Sequence, residues 1–142
     1  MLIADILKNK GSDVVTIAPS DTVAALVALL AEHRIGAVVV SADGSRIDGI
    51  VSERDVVRAL PEHGTDLLEQ TVESIMTSQV RTCTTKDTVV DLADLMTTNR
   101  FRHVPVTEGE SLIAIVSIGD VVKARTELLT EERNQLIQYV QQ

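Results

Sequence analysis

The stretch Gly49-Ile50-Val51-Ser52-Glu53-Arg54-Asp55-Val56-Val57 returns later in the chain as Ala114-Ile115-Val116-Ser117-Ile118-Gly119-Asp120-Val121-Val122. A duplication of this kind confines the fold to architectures that two copies of one unit can build together. In each copy three apolar residues read as a short buried strand. The Ser-x-x-Asp that follows reads as a helix start with the paired valines turned inward. At such a junction the unpaired backbone N–H groups and the positive end of the helix dipole form a seat for an anion, phosphate first among them.

The repeat extends well beyond the motif. A shift of 66 residues aligns Thr16 to Val40 with Thr82 to Val106, with identity at Thr16, Asp21, Thr22, Val23, Leu26, Leu29, Arg34, Val38 and Val40. One residue is then lost, and seven of the ten positions from Ile50 to Ala59 equal their partners between Ile115 and Ala124. In each half a lead-in helix (Ile3 to Lys8, Val72 to Met76) precedes an extended piece (Val14 to Ile17, Val80 to Cys83). Apolar residues at helical spacing then follow an Asp-Thr-Val: Val23, Leu26, Val27 and Leu30 in one half, Val89, Leu92, Leu95 and Met96 in the other. A hairpin comes next, turning at Asp43-Gly44 and at Glu108-Gly109. Each unit thus reads strand, helix, strand, strand, helix, and neither is long enough for a core of its own. The expectation is an α+β fold of two pseudo-symmetric repeats packed face to face.

By this reading residues 1–60 form the first repeat with its lead-in, 61–70 an exposed turn-rich linker, and 71–125 the second repeat with its lead-in. Residues 126–142 continue as a helix whose stripe of Leu128, Leu129, Leu136, Ile137 and Val140 wants a partner: the favoured reading is a second copy, a homodimer, and the alternative is folding back on its own module.

Composition removes several function classes. A net charge of −8 argues against nucleic acid or an anionic membrane surface as a general partner, because both need a broad Lys/Arg field. With one Phe, one Tyr and no Trp there are almost no platforms on which single-stranded bases could stack. The longest near-continuous apolar run, Val23 to Ala31, is far short of the roughly 20 residues that cross a bilayer. The start lacks the pattern of a signal peptide and Cys83 is the only cysteine, so a cytoplasmic setting is expected. Cys83 aligns with Ile17 in an apolar slot and reads as packing. His33, His63 and His103 stand far apart with no metal-ligand spacing, so neither a metal site nor a catalytic set is predicted.

The two units, each closing on a hydrophobic strand and Ser-x-x-Asp, with their paired Asp-Thr-Val segments and Val104-Pro105-Val106, resemble a tandem pair of CBS domains, named after cystathionine beta-synthase. The resemblance covers nearly the whole chain. It implies a non-enzymatic regulatory module with two clefts for adenosine ligands such as AMP, ADP, ATP or S-adenosylmethionine. With nothing fused to it, the module is expected to sense energy or metabolite state for separate partner proteins. The rival is a ligand-free structural adaptor.

The resemblance implies that Asp55 and Asp120 accept hydrogen bonds from ribose hydroxyls, with Thr16, Thr82, Val38, Val104 and Pro105 around adenine and sugar, the strand residues through backbone groups; plain core packing is the other reading of Val38, Val104 and Pro105. An ionised carboxylate, an acceptor with two oxygens, matches a vicinal diol, and Ser52 and Ser117 can donate to phosphate. The other reading of Ser-x-x-Asp is a capping box, in which the two side chains only secure the helix start. Positive charge is unevenly divided: Arg54 faces Gly119 in the alignment, and Arg102 faces Gly36. Arg54 and Arg102 are therefore the leading phosphate ligands, with His103 and the paired Arg34 and Arg100 behind them, and the two clefts are expected to differ in affinity. For Arg34 and Arg100, pairing with surface carboxylates is the favoured alternative.

Overall fold

The computed structural model describes residues 1–11 and 13–141. In chain order the elements are α1 (Ile3–Lys10), β1 (Thr16–Ile17), α2 (Val23–His33), β2 (Ala37–Val40), β3 (Gly49–Ser52), α3 (Glu53–His63), β4 (Cys83–Thr84), α4 (Val89–Asn99), β5 (His103–Glu108), β6 (Ser111–Ser117) and α5 (Ile118–Gln141). Two 3-10 segments, Gly64–Glu69 and Val72–Ser74, join the halves. The strands form two separate three-stranded sheets of identical topology, β1-β2-β3 and β4-β5-β6. In each, the first pair is parallel and the second antiparallel, as a strand-helix-strand-strand unit requires.

Duplicated sequence makes duplicated local bonds. Thr22 Oγ1 accepts from the Ala25 N–H at 3.1 Å, and Thr88 Oγ1 from the Asp91 N–H at 3.0 Å, so α2 and α4 share one N-cap. Both helices end on an arginine in the left-handed region, Arg34 at φ 53° and Arg100 at φ 57°. That is the structural role of this pair. The expected carboxylate partners of the two arginines are not among the ion pairs of the described residues, which are Lys8–Asp5 and Lys10–Asp120.

The lead-ins are exchanged between the repeats. The Ile3 N–H donates to the Asp87 carbonyl at 2.9 Å and the Val72 N–H to the Asp21 carbonyl at 2.8 Å. Ile3 and Ile6 accordingly bury with Val89, Leu92 and Val104 of the second repeat, and Val72 buries with Leu26, Val38 and Val51 of the first. Boundaries drawn in chain order therefore cut across the packing units.

Three local expectations need correction. The segment 61–70 is exposed as expected except at Leu67, but it is helical rather than a run of turns: α3 runs through Pro61 to His63, and the 3-10 segment after it packs on α2 and α3 with Leu67 fully buried. The second lead-in is a single 3-10 turn rather than a helix. The extended pieces shrink to Thr16–Ile17 and Cys83–Thr84, which leaves Thr82 outside the strand. Cys83 is buried, and desolvation aided by the charge of Asp87 pushes its thiol up to about 12, as an inert packing residue would have it.

Candidate functional site

Two clefts lie beside the two Ser-x-x-Asp helix starts. The first, about 210 Å³, opens between the repeats: β3 and α3 supply Ser52, Arg54, Asp55 and Arg58, and the segment leading into β5 supplies Arg100, Phe101, Arg102 and His103. A backbone bond of the same kind fixes the rim in each repeat. The Glu53 N–H donates to the Gly36 carbonyl at 2.9 Å and the Ile118 N–H to the Arg102 carbonyl at 2.8 Å. The second cleft, about 270 Å³, lies between α1 and α5, with Asp5, Asn9, Lys10, Asp120 and Lys123 in its wall.

The capping geometry is built at both motifs. Asp55 Oδ2 accepts from the Ser52 N–H at 2.8 Å and from the Ser52 hydroxyl at 3.1 Å, while the Asp55 N–H donates to Ser52 Oγ at 3.4 Å. These bonds end on one carboxylate oxygen; Oδ1 has no partner among the described residues. The cap and an additional acceptor role are thus compatible, since one carboxylate carries two oxygens. Ser52 itself is turned inward: its proton goes to Asp55 rather than toward the cleft.

At the second motif Asp120 Oδ2 accepts from the Ser117 N–H at 2.8 Å and the Asp120 N–H donates to Ser117 Oγ at 3.1 Å. Here a third group intervenes. Lys10 Nζ stands 2.6 Å from Asp120 Oδ2 and 2.7 Å from the Ile115 carbonyl oxygen. Burial pushes the Asp120 carboxyl up, but the bonds from Lys10 and Ser117 outweigh it and hold the group below the usual carboxylate range.

His103 lies half-buried between the two motifs. Its imidazole is held below the ordinary histidine value, first by burial and then by the positive charge of Lys10, with Glu53 and Asp120 opposing and Arg102 adding to the depression.

Of the residues singled out in the sequence, Ser52, Arg54, Asp55, Arg102 and His103 come together in the first cleft. Asp120 lines the second, with Ser117 behind it as the cap. Val38 and Val104 do not line either cleft: they are core, 1% and 0% exposed, and Pro105 is buried beside them. For Val38 and Val104 alternation along the strand explains this, because their neighbours Ala37 and His103 face the cavity instead. Thr82 lies elsewhere, in a shallow depression with Ser78, Val80 and Arg46, and Thr16 lines neither cleft. Arg58, Phe101 and Lys10 were missed. Arg58 follows Arg54 by four residues and shares its helix face, a signal present in the sequence. Lys10 is 110 residues from Asp120, and nothing local announces their meeting.

A family profile for the CBS domain matches residues 3–62 and 72–127. The chain belongs to the CBS-domain family, as a tandem pair. It is 35% identical over 147 residues to the mitochondrial CBS domain-containing protein CBSX3 of Arabidopsis thaliana, covering 98% of this chain and 71% of that one. The crystal structure of the CBS-domain containing protein ATU1752 from Agrobacterium tumefaciens superposes with a TM-score of 0.84 at 46% identity, covering 88% of this chain and 99% of that one. CBSX2 in complex with AMP superposes with a TM-score of 0.73 at 24% identity, covering 89% and 97%, a likeness of fold. No helix among the described residues is long and apolar enough to cross a membrane.

Proposed function

We propose that this CBS pair is an adenine-nucleotide sensor, and that its first cleft takes ADP or ATP in preference to AMP. The observation that carries this reading is the convergence of Arg54 and Arg58 from one repeat with Arg100 and Arg102 from the other on a single cavity, in a chain of net charge −8. None of the four is in an ion pair with a carboxylate among the described residues. Four guanidinium groups facing one cavity suit a chain of phosphates, which offers each of them bidentate acceptors, and they repel a cationic ligand such as S-adenosylmethionine. Asp55, with a free Oδ1 at the helix start, is the ribose acceptor in this reading. The AMP held by CBSX2 supports the choice of an adenosine ligand.

Phosphates bound by arginines of both repeats tie the halves together, and that differential contact is what a ligand needs to shift the population between two arrangements. The output passes to separate partner proteins in the cytoplasm, from a homodimer assembled through α5. A second reading, a ligand-free adaptor, draws on α5 alone, whose Leu129, Leu136, Tyr139 and Val140 are exposed.

Isothermal titration with AMP, ADP, ATP and S-adenosylmethionine tests the proposal. ATP is expected to bind at least about ten-fold tighter than AMP, and a variant carrying Arg54→Ala and Arg102→Ala to lose about 100-fold in ATP affinity, two charge-assisted bonds at about 1.5 kcal/mol or more each. Equal affinity for AMP and ATP removes the polyphosphate assignment, and no heat with any ligand favours the adaptor.

A further inference from the structure

His103 and Ala37 hold one position in the two repeats: each opens the pairing of its hairpin, His103 opposite Ser117 and Ala37 opposite Ser52. Both border the first cleft, as do Gly36 and Arg102 just before them. Duplication thus brings the same position to one cavity twice, with a methyl group on one wall and an imidazole on the other. The ring reaches the opposite repeat, since its Cε1 lies 3.5 Å from the point where a Cβ on Gly36 would sit. Burial and neighbouring charge alone act on it, and no hydrogen bond among the described residues ends on its nitrogens. No buried side-chain nitrogen among the described residues lacks a partner, so both ring nitrogens are open to solvent.

Charge converges on the ring from each element around it. Lys10 of α1 and the adjacent Arg102 disfavour the imidazolium, while Glu53 of α3 and Asp120 of α5 favour it. Arg54, Arg58 and Arg100 stand around the same cavity. Burial is the largest influence and tips the balance, so the neutral ring is favoured at neutral pH and the cleft carries its arginines as its cations. Polyphosphate reverses that balance. Its negative charges offset the repulsion between the arginines and the ring, and they offer the ring N–H groups charged acceptors. Linkage makes the effect reciprocal: a ligand that raises the proton affinity of the ring binds the protonated protein more tightly by the same factor.

We propose that polyphosphate binding in the first cleft is coupled to protonation of His103, so that the ligand binds more tightly as pH falls from the neutral range. The proposal rests on the nucleotide reading of that cleft and adds its regulation: the site reads nucleotide and acidity together. Because the ligand-bound value of His103 lies above the free one, the gain begins as pH falls through the bound value. It is complete below the free value, which is itself under the ordinary 6.5. Ala37 gives the other wall of the cleft no such response, so the coupling belongs to the second repeat alone.

An NMR titration of the histidine Cε1–H signals reads the coupling on the wild-type chain. Of its three histidines, the exposed His33 and His63 serve as references. Saturating ATP should raise the His103 midpoint by about one pH unit and leave the other two in place. A His103 midpoint unmoved by bound ATP would overturn the coupling and keep the nucleotide reading. Calorimetry gives a second measure, taken as a comparison because the terminal phosphate of ATP titrates in the same range. From pH 7.5 to pH 5.5 the ratio of ATP affinities, wild type over His103→Gln, should grow about five-fold or more. A constant ratio would count against the proposal in the same way. Sodium tripolyphosphate separates it from the reading on which it rests. A His103 midpoint raised by tripolyphosphate but not by ATP would retain the proton coupling and dismiss the nucleotide. Failure of both anions to bind would dismiss the two together.

Discussion

The Asp55 and Asp120 clefts descend from one sequence and have come to differ in the basic groups that line them. Around Asp55 the chain gathers four arginines; around Asp120 it places Lys10 on the oxygen that also makes the cap, and in both motifs the other carboxylate oxygen has no partner among the described residues. The capping bonds, which depend only on residues three apart, are the same in both. What differs comes in part from substitutions beside the motif, Arg54 against Gly119, and in part from residues remote in sequence, Arg100, Arg102 and Lys10. Duplication therefore preserves what is local and frees what is tertiary, so a repeated motif is strong grounds for a repeated fold and weak grounds for a repeated site.

The sharpest difference in packing lies at the head of the two motifs, where Gly49 stands opposite Ala114. A methyl group on Gly49 would come within 2.8 Å of the Thr77 carbonyl oxygen and 2.6 Å of Met76 Sδ, and the backbone contact cannot give without opening the Ile50–Thr77 bridge. Gly49→Ala should cost about 2 kcal/mol of stability by urea unfolding, within the range for overpacked interiors. Ala114→Gly, which only loosens a strand, should cost less than about 1 kcal/mol. Equal losses at the two positions would mean that the repeats pack alike there.

The closing helices differ next. The α3 helix stops at His63 and the chain turns back through Leu67, while α5 continues for 24 residues and leaves Leu129 at 60% and Leu136 at 66% exposure. If that face assembles two copies, Leu136→Ala should weaken the dimer about ten-fold by sedimentation, in keeping with the apolar area of one side chain, and leave ADP affinity unchanged. A variant still dimeric at nanomolar concentration would assign assembly to another face.

The smallest expected effect joins the two clefts at His103. Its folded-state value lies below the ordinary 6.5, so as pH falls through that value the unfolded chain takes up a proton while the folded chain remains neutral. Stability is therefore full above about pH 6.5 and declines as pH falls from there toward the depressed value, by under about 1 kcal/mol. The charges of Lys10, Arg102, Glu53 and Asp120 that face the imidazole set the extent. In His103→Gln the difference in unfolding free energy between pH 7.5 and pH 5.5 should shrink. An unchanged difference would trace the acid sensitivity to carboxylates instead.

Most of the architecture could be read from residue order, because periodicity, capping residues and turn glycines act over a few positions. Thr22 and Thr88 cap as written, and both hairpins turn at their glycines, Gly44 at φ 81° and Gly109 at φ 64°. Arg54 and Arg102 were legible as a complementary pair because the alignment of the halves exposed what each lacked. The side chains of Val38, Val104 and Pro105 are core, the packing reading that apolar strand residues carry from the start, and residue order alone does not say which backbone groups of these strands border a cavity. The exposure of segment 61–70 was legible from its polar residues, but its helical path was not, because Pro61 and Gly64 are turn formers in isolation whereas burial of Leu67 holds the path as helical turns.

By itself the sequence determined two copies of one unit, their strands and helices, the caps at both Ser-x-x-Asp motifs and the family, since each rests on interactions between near neighbours. Only the tertiary structure decided that the lead-ins change places, that four arginines line one cavity, and that Lys10 meets Asp120 in the other. Those outcomes depend on contacts between side chains far apart in the chain, whose meeting is fixed by the packing of whole elements and by no local pattern.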